Sequence, residues 1–462
     1  GVLCAALLAA SAFSADAESG AESGGDRSLT LALNLFAADN KRRQALRAIR
    51  GTGDTGMVAP MIISLRYLPP EARAEVVPVL QRITGHRGIG DDWFRWMVWQ
   101  EEHPEISPFA GFVQFQHRLY TKIDPAFAVF FEPGSGSVIR REEVTWGGVK
   151  KDGIPALDQP AFIAASAADY LQPEDRVFGV AIGDDIRAYP YRILDWHEMA
   201  NDVVGGIPVA LAYCTLCGSG VLYRTDAVAE GPLKFGSSGF LYRSNKLMYD
   251  QQTHSLWNQL SGEPAIGALV GSGLSLEVPP MVTTTWAAWQ ARHPRTRVLD
   301  PNTGYERQYG KSGPYHRYFK SSQLMFPAAL DEVEGRAKSI VFALRLTGAR
   351  KAWPLEDFEG GAVINDRVGV IPVVLVGEAS TSSVRAYRGD GRGFALAADR
   401  LHQIQADDEL WQVREDGLQG PDGALFPRLP GHLSYRFAWQ SFLGGPEPPA
   451  SEHPAPGSAS CR

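Results

Sequence analysis

The stretch RVFGVAIGDDIRAYPYRILDWHEMANDVVGGIPVALAY, residues 176–213, returns 164 residues later as IVFALRLTGARKAWPLEDFEGGAVINDRVGVIPVVLVG, residues 340–377. The two align without a gap. Twelve of the 38 positions are identical, where ordinary composition gives about two or three by chance. Farther on, Leu256-Trp257 matches Leu410-Trp411, and Ala288-Trp-Gln290 matches Ala438-Trp-Gln440, at offsets of 154 and 150. The shrinking offset describes a duplication whose second copy has suffered deletions.

A duplication allows comparison within one chain. Positions kept in both copies are expected to serve the fold: Asn201 and Asp202 to open a turn, Gly205 to permit it, and Pro208 to start the next strand. Positions kept only in the first are candidates for a site. His197 falls opposite Gly361, Glu198 opposite Ala362, Cys214 opposite Glu378 and Cys217 opposite Thr381. None of these four groups keeps its identity in the second copy. The first is therefore expected to be active and the second to be scaffold.

Val177 to Ile182 and Ile186 to Tyr189 flank Gly183-Asp-Asp185 in a hairpin pattern, and Ile207 to Tyr213 and Gly220 to Arg224 flank Cys214-Thr-Leu-Cys217-Gly218. The cysteines are thus expected in a turn between two strands. Upstream the periodicity is helical: Asn40 to Ile49, Asp54 to Leu68 and Glu71 to Ile83 carry apolar residues every three to four positions, with Asn, Asp or Pro near their starts. The aromatics of Asp91 to Trp99 recur at helical spacing, which is more often core than cofactor pocket.

The expected fold class is α+β, a small N-terminal helical unit followed by two duplicated β-rich α+β repeats. The expected boundaries are a signal-peptide remnant at 1–17, a linker at 18–30, the helical unit at 31–106 and a connecting segment at 107–170. Copy one follows at 171–300, a connector at 301–335, copy two at 336–443 and a disordered tail at 444–462.

Cys-x-x-Cys-Gly between strands is similar to a zinc-ribbon knuckle, but no second Cys pair completes a four-thiolate site. Cys214, Cys217, His197 and His254 are the candidate metal ligands. Two thiolates with imidazole suit a soft ion, copper or zinc, better than magnesium or calcium. Glu198 and Asp250 are the candidates for proton transfer. A metal-dependent oxidoreductase would use this set. Two readings compete with it: a thiol–disulfide redox pair, whose usual place is a helix N-terminus, and a structural disulfide in a non-catalytic binding or scaffold protein. A zinc-protease reading of His197-Glu198 fails, because position 201, where the second His belongs, is Asn. Arg243, Asp250 and His254 lie in a polar-rich stretch that either lines a pocket or braces the fold. Phe235-Gly-Ser-Ser-Gly239 lacks the lysine of a phosphate loop.

The 462 residues carry a net charge of −7 and no basic block, so nothing electrostatic favours nucleic acid, and no stretch after the first residues is apolar enough for a membrane span. The apolar start, Gly1 to Ala10, followed by Ala15-Asp-Ala17, reads as the end of a secretory signal. A periplasmic or secreted protein is expected, with an unknown small-molecule or protein substrate. Cys4 falls inside that run and Cys461 in the tail, leaving one close Cys pair.

Ala188-Tyr-Pro190, Asp195-Trp-His-Glu198, Asn201-Asp-Val-Val-Gly-Gly206, Tyr213-Cys-Thr-Leu-Cys-Gly218, Leu247-Met-Tyr-Asp250 and Ser255-Leu-Trp257 together resemble the bacterial domain-of-unknown-function 3179 family. The resemblance spans most of Asp91 to Leu443 and implies an exported bacterial protein. It implies no particular activity.

Overall fold

The computed structural model describes residues 24–228, 231–310, 313–329, 337–397 and 402–443. The leader reading of 1–17, the tail reading of 444–462, Cys4 and Cys461 lie outside the described residues. The architecture is mixed, with a helical N-terminal region followed by β-rich sheets. No helix among the described residues is long and apolar enough to cross a membrane.

The helices form where the periodicity placed them, at Asp39–Thr52, Val58–Tyr67, Pro70–Thr84 and Trp93–Glu101. Local chemistry sets their ends. Gly53 closes the first in the left-handed region, and the Asp92 carboxylate caps the fourth by accepting from Arg95 N. Trp96 and Trp99 are buried, so the aromatic stripe is core. Helical structure runs on through Phe112–Thr121 and the 3-10 segment Pro125–Phe130. Its apolar face joins one cluster with Phe240, Leu247, Tyr249 and Leu256, so the helices pack on a six-stranded sheet built around Phe235–Tyr242 and Asn245–Asp250.

Beyond residue 170, strand pairings recur at the 164-residue spacing. Val177 faces Pro190 as Val341 faces Pro354. Val204 faces Ile207 as Val368 faces Ile371, and Cys214 faces Ser219 as Glu378 faces Ser383. The later strands that close each half keep the same relation, with Thr285 on Arg176 and Tyr435 on Ile340. Each closing strand leads directly into a helix, Trp286–Arg292 or Arg436–Leu443.

Asn201 and Asp202 do not open the turn. Both lie inside the strand Met199–Val204, and the reversal is made by Gly205 and Gly206, with φ of 56° and 79°. Both central residues of such a two-residue hairpin need positive φ, which glycine supplies without strain. The two polar residues instead tie elements together. The Asn201 carboxamide accepts from Phe235 N and donates to Phe235 O, both at 2.9 Å, and Asn365 does the same with Phe394 at 2.8 Å. Asp202 Oδ2 accepts from Arg187 and the Tyr189 hydroxyl, each at 2.6 Å. Asp366 Oδ2 accepts from Trp353 Nε1 at 2.8 Å, and Lys351 pairs with the same carboxylate.

The halves meet through a buried ion cluster. Glu415 lies among Arg385, Arg428, Arg292 and His293, the last two from the region of residues 286–293.

Candidate functional site

The strand Ile207–Cys214 runs into a 3-10 turn, Thr215–Cys217, and leaves as Ser219–Arg224. Gly218 ends the turn in the left-handed region, at φ 59°, with the Tyr435 ring against it. The placement expected for the cysteines holds. Cys214 and Cys217 are paired as a disulfide with Cα atoms 5.2 Å apart, and are 2% and 0% exposed. Above them lie Tyr318 and Phe326 of the connector, and the Tyr318 hydroxyl donates to Leu216 O at 2.7 Å within the Cys-x-x-Cys turn.

Cys217 Sγ has two polar neighbours. Asn245 Nδ2 donates to it at 3.2 Å, and the Ser244 carbonyl oxygen stands 3.4 Å away. Asn245 is oriented by Gln259, whose Oε1 accepts from the same amide at 3.0 Å while its Nε2 reaches Ala212 O and Ser219 O. The turn that presents these groups is built from Arg243 and Ser244 at φ 46° and 63°, a conformation that costs non-glycine residues. Ser244 Oγ is tied to Pro327 O at 2.7 Å, and Arg243 is paired with Glu143.

A carboxylate cluster adjoins the bridge. The pairing of Met199 with Ala212 carries Glu198 across from Tyr213, whose N–H donates to Glu198 O at 2.8 Å. Glu198, held at φ 55°, caps the helix Tyr191–His197. Its buried carboxylate accepts from Thr215 Oγ1 at 2.9 Å, the Tyr315 hydroxyl at 3.0 Å and Lys246 Nζ at 3.0 Å. On the same helix Asp195 is half-buried, and its Oδ1 is shielded from solvent with no hydrogen-bond partner. Burial pushes its pKa up to about 7, the neighbouring Glu198 charge adds to the rise, and the Tyr213 hydroxyl opposes it.

Of the other candidates, His197 and Asp250 are each engaged with partners other than the sulfurs. His197 is fully buried, with Nδ1 2.9 Å from Pro155 O and Nε2 2.6 Å from the Tyr309 hydroxyl. A carbonyl only accepts, so the proton sits on Nδ1 and Nε2 accepts from Tyr309. Burial, the larger influence, lowers the His197 pKa and keeps the ring neutral. Asp250 lies at the other end of the strand from Asn245, roughly 17 Å away at about 3.3 Å per residue. Its oxygens accept from Thr253 N, Thr253 Oγ1 and Trp257 Nε1, bracing the turn that follows. His254 sits in that turn at φ 56°. Among the described residues, no group of three or more His, Cys, Asp or Glu side chains is arranged to hold a metal ion.

Sequence reasoning missed Asp195, Thr215, Asn245, Lys246 and Tyr315. Asp195, Thr215, Asn245 and Lys246 all lie within three residues of a residue already singled out. Tyr315 carries no local signal, because only the tertiary fold of the connector brings it to Glu198.

The fold and site define a mixed α/β protein in which a buried Cys-x-x-Cys bridge sits beside a Glu–Lys pair on a β-rich body. The chain belongs to the family described as Protein of unknown function (DUF3179), whose profile matches residues 151–447. The match begins after the N-terminal helices, later than the Asp91 start of the resemblance read from motifs. No curated protein and no solved structure matches the chain.

Proposed function

We propose that Cys214 and Cys217 form a thiol–disulfide redox centre in an exported protein, and that residues 336–443 are a degenerate copy of residues 171–300 that lost the centre. One observation carries the reading: the second half closes the same turn without a bridge. Ser382 holds φ 57° where Gly218 holds 59°, and Ser382 N donates to Ala379 O as Gly218 N does to Thr215 O. The turn does not need the disulfide. A four-residue loop also yields only about 2 kcal/mol by the loop-entropy relation, a weak structural reason for a buried bridge.

The surroundings serve both redox states. Ser244 O is placed to accept from a Cys217 thiol, and Asn245 to donate to a thiolate. Reduction needs two electrons and two protons, taken from a dithiol donor. The donor thiolate attacks one sulfur to give a mixed disulfide, the released cysteine takes a proton, and the donor's second thiol frees the other cysteine. Glu198, which accepts from Thr215 inside the Cys turn, and Asp195 on the adjoining helix serve as the carboxyls for those protons, and Asp250 acts as a brace. Export is supported by the apolar start and Ala15-Asp-Ala17.

A second reading is favoured by the N–H donor at Cys217 together with the knuckle geometry: the reduced pair binds copper or zinc. His197 then has to give up Tyr309 to become a ligand, while His254 stands at the far turn. One experiment separates these. The protein is reduced with mild dithiol, then alkylated in the native state, followed by circular dichroism, and analysed for metal before alkylation. Two labelled thiols in a folded, metal-free protein that re-oxidises are expected. About one equivalent of copper or zinc points to the metal reading. A bridge that resists reduction until the protein unfolds overturns both.

A further inference from the structure

The Cys214–Cys217 bridge is sealed, its two residues being 2% and 0% exposed. Thiol–disulfide exchange needs an attacking thiolate in contact with a sulfur, so part of the enclosure has to move. The walls differ in how firmly they are held. Cys214 and Ser219 lie on paired strands, and Leu241 and Asn245 on another pair, each closed by a backbone ladder. Phe437 and Ala438 stand on a helix whose first residues, Arg436 and Phe437, donate backbone bonds to Ser339 O and Ala337 O.

Residues 313–329 form a further wall and are held otherwise. Tyr318, Phe326 and Ala328 share one apolar cluster with the two cysteines. The regular structure of the segment is the five-residue helix His316–Lys320. Its backbone-to-backbone bonds stay inside it, from His316 to Gly313, Phe319 to Tyr315 and Ser321 to Tyr318. Side chains fasten it to the body. The Tyr318 hydroxyl donates to Leu216 O at 2.7 Å, the Tyr315 hydroxyl to Glu198 at 3.0 Å and Ser244 Oγ to Pro327 O at 2.7 Å. Lys338 Nζ donates to Tyr318 O and Ser321 O, and the Glu101 carboxylate accepts from Ala329 N. A segment without a ladder opens at lower cost than the strands beneath it. The second half links cover to bridge. Thr215 and Leu216 are buried in the bridged turn, whereas Ser380, opposite Leu216, is exposed and Glu378 and Thr381 are half-buried. The turn without a disulfide is open to solvent.

We propose that residues 313–329 are a strap over the bridge, and that an outside dithiol reaches Cys214 and Cys217 only when this strap lifts from an otherwise folded protein. The proposal rests on the preceding reading for the exchange itself: a dithiol gives two electrons and two protons, the bridge becomes two thiols, and the donor leaves as a disulfide. The strap sets the rate of that exchange.

The test is the rate at which reduced dithiothreitol opens the bridge in the full-length protein, followed by acid quench, alkylation and mass. Tyr318→Phe and Lys338→Met each release one fastening and are expected to speed reduction at least about fivefold, the worth of one hydrogen bond. Tyr387→Phe removes the same kind of bond, from the hydroxyl to Arg414 O at 2.7 Å, in the second half, and is expected to leave the rate within about twofold of wild type. Low urea is expected to raise the wild-type rate far less steeply than it raises global unfolding, because a lifted strap exposes little surface. That urea dependence decides the matter should a strap variant fail to fold. Strap variants that reduce at the wild-type rate overturn the proposal, as does an equal acceleration in Tyr387→Phe or a urea dependence as steep as that of unfolding. Strap variants that respond in a protein whose bridge has the potential of a structural disulfide support the strap and overturn the redox reading. A reversible redox pair with unresponsive strap variants does the reverse.

Discussion

Gly218 and Ser382 hold the same left-handed backbone, at φ 59° and 57°, in two hairpins of matching register, one bridged by a disulfide and the other not. The second hairpin acts as an internal control for the first. The bridge is therefore expected to be dispensable for folding. Cys214→Ser with Cys217→Ser should stay folded and lose only about 2 kcal/mol. Glu378→Ala and Thr381→Ala should lie within about 0.5 kcal/mol of wild type. Urea unfolding measures both, and a collapse of the Cys double variant contradicts the expectation.

The aspartates that recur in the two halves differ in enclosure. Asp202 holds Arg187 and Tyr189 in the interior, whereas Lys351 beside Asp366 is 43% exposed at its side chain. Asp202→Ala leaves the buried Tyr189 hydroxyl without its acceptor and Arg187 with Asp185 as its remaining carboxylate, and should cost about 2–3 kcal/mol. Asp366→Ala should cost about 1 kcal/mol, because water can take over the ammonium. Equal losses in denaturant melts contradict this difference.

Asp195 should impose a pH dependence on stability. Its folded pKa, about 7, lies above the ordinary 3.8, so between these values the folded state keeps a proton that the unfolded chain has released. Stability is full below about pH 4 and falls as pH rises toward 7. The fall attributable to this group is roughly 2 kcal/mol after allowance for solvent screening. Asp195→Asn should remove it, so that the variant gains on wild type between pH 4 and 8. Parallel stability curves contradict the assignment.

Glu415 makes the opposite prediction. The surrounding guanidiniums, Arg385 first, hold its carboxyl well below the usual range against the cost of burial. Its contribution is present above about pH 4.5 and is lost as pH falls toward its lowered pKa. Glu415→Leu leaves Arg292, Arg385 and Arg428 without their acid and should cost about 3–5 kcal/mol. A near-neutral effect in thermal melts would show that the two halves are held together otherwise.

Periodicity placed the helices from Asp39 to Glu101 within a few residues, because their apolar spacing and caps are local signals. The Cys turn was legible for the same reason, with two β runs ending at a glycine. Asn201 and Asp202 were misread as turn residues, since their composition suits turns equally well. Their strand position is set by bonds to Phe235, Arg187 and Tyr189 that no local pattern encodes. The orientation of His197 was equally hidden. The antiparallel return does bring its neighbour Glu198 across from Tyr213, but Pro155 and Tyr309, 42 residues before and 112 after, turn the ring. Lys246 and Tyr315 reach Glu198 from distant segments, 48 and 117 residues away, and no local pattern joins them.

The redox claim is tested most directly by the midpoint potential of the Cys214–Cys217 pair. Full-length protein is equilibrated in graded mixtures of reduced and oxidised dithiothreitol, quenched with acid, alkylated and resolved by mass, with circular dichroism recorded alongside. A functional centre predicts a reversible two-electron transition above about −300 mV, with the fold intact on both sides. A pair that stays bridged well below about −300 mV, or opens only as the protein unfolds, is a structural disulfide, and that result contradicts the account.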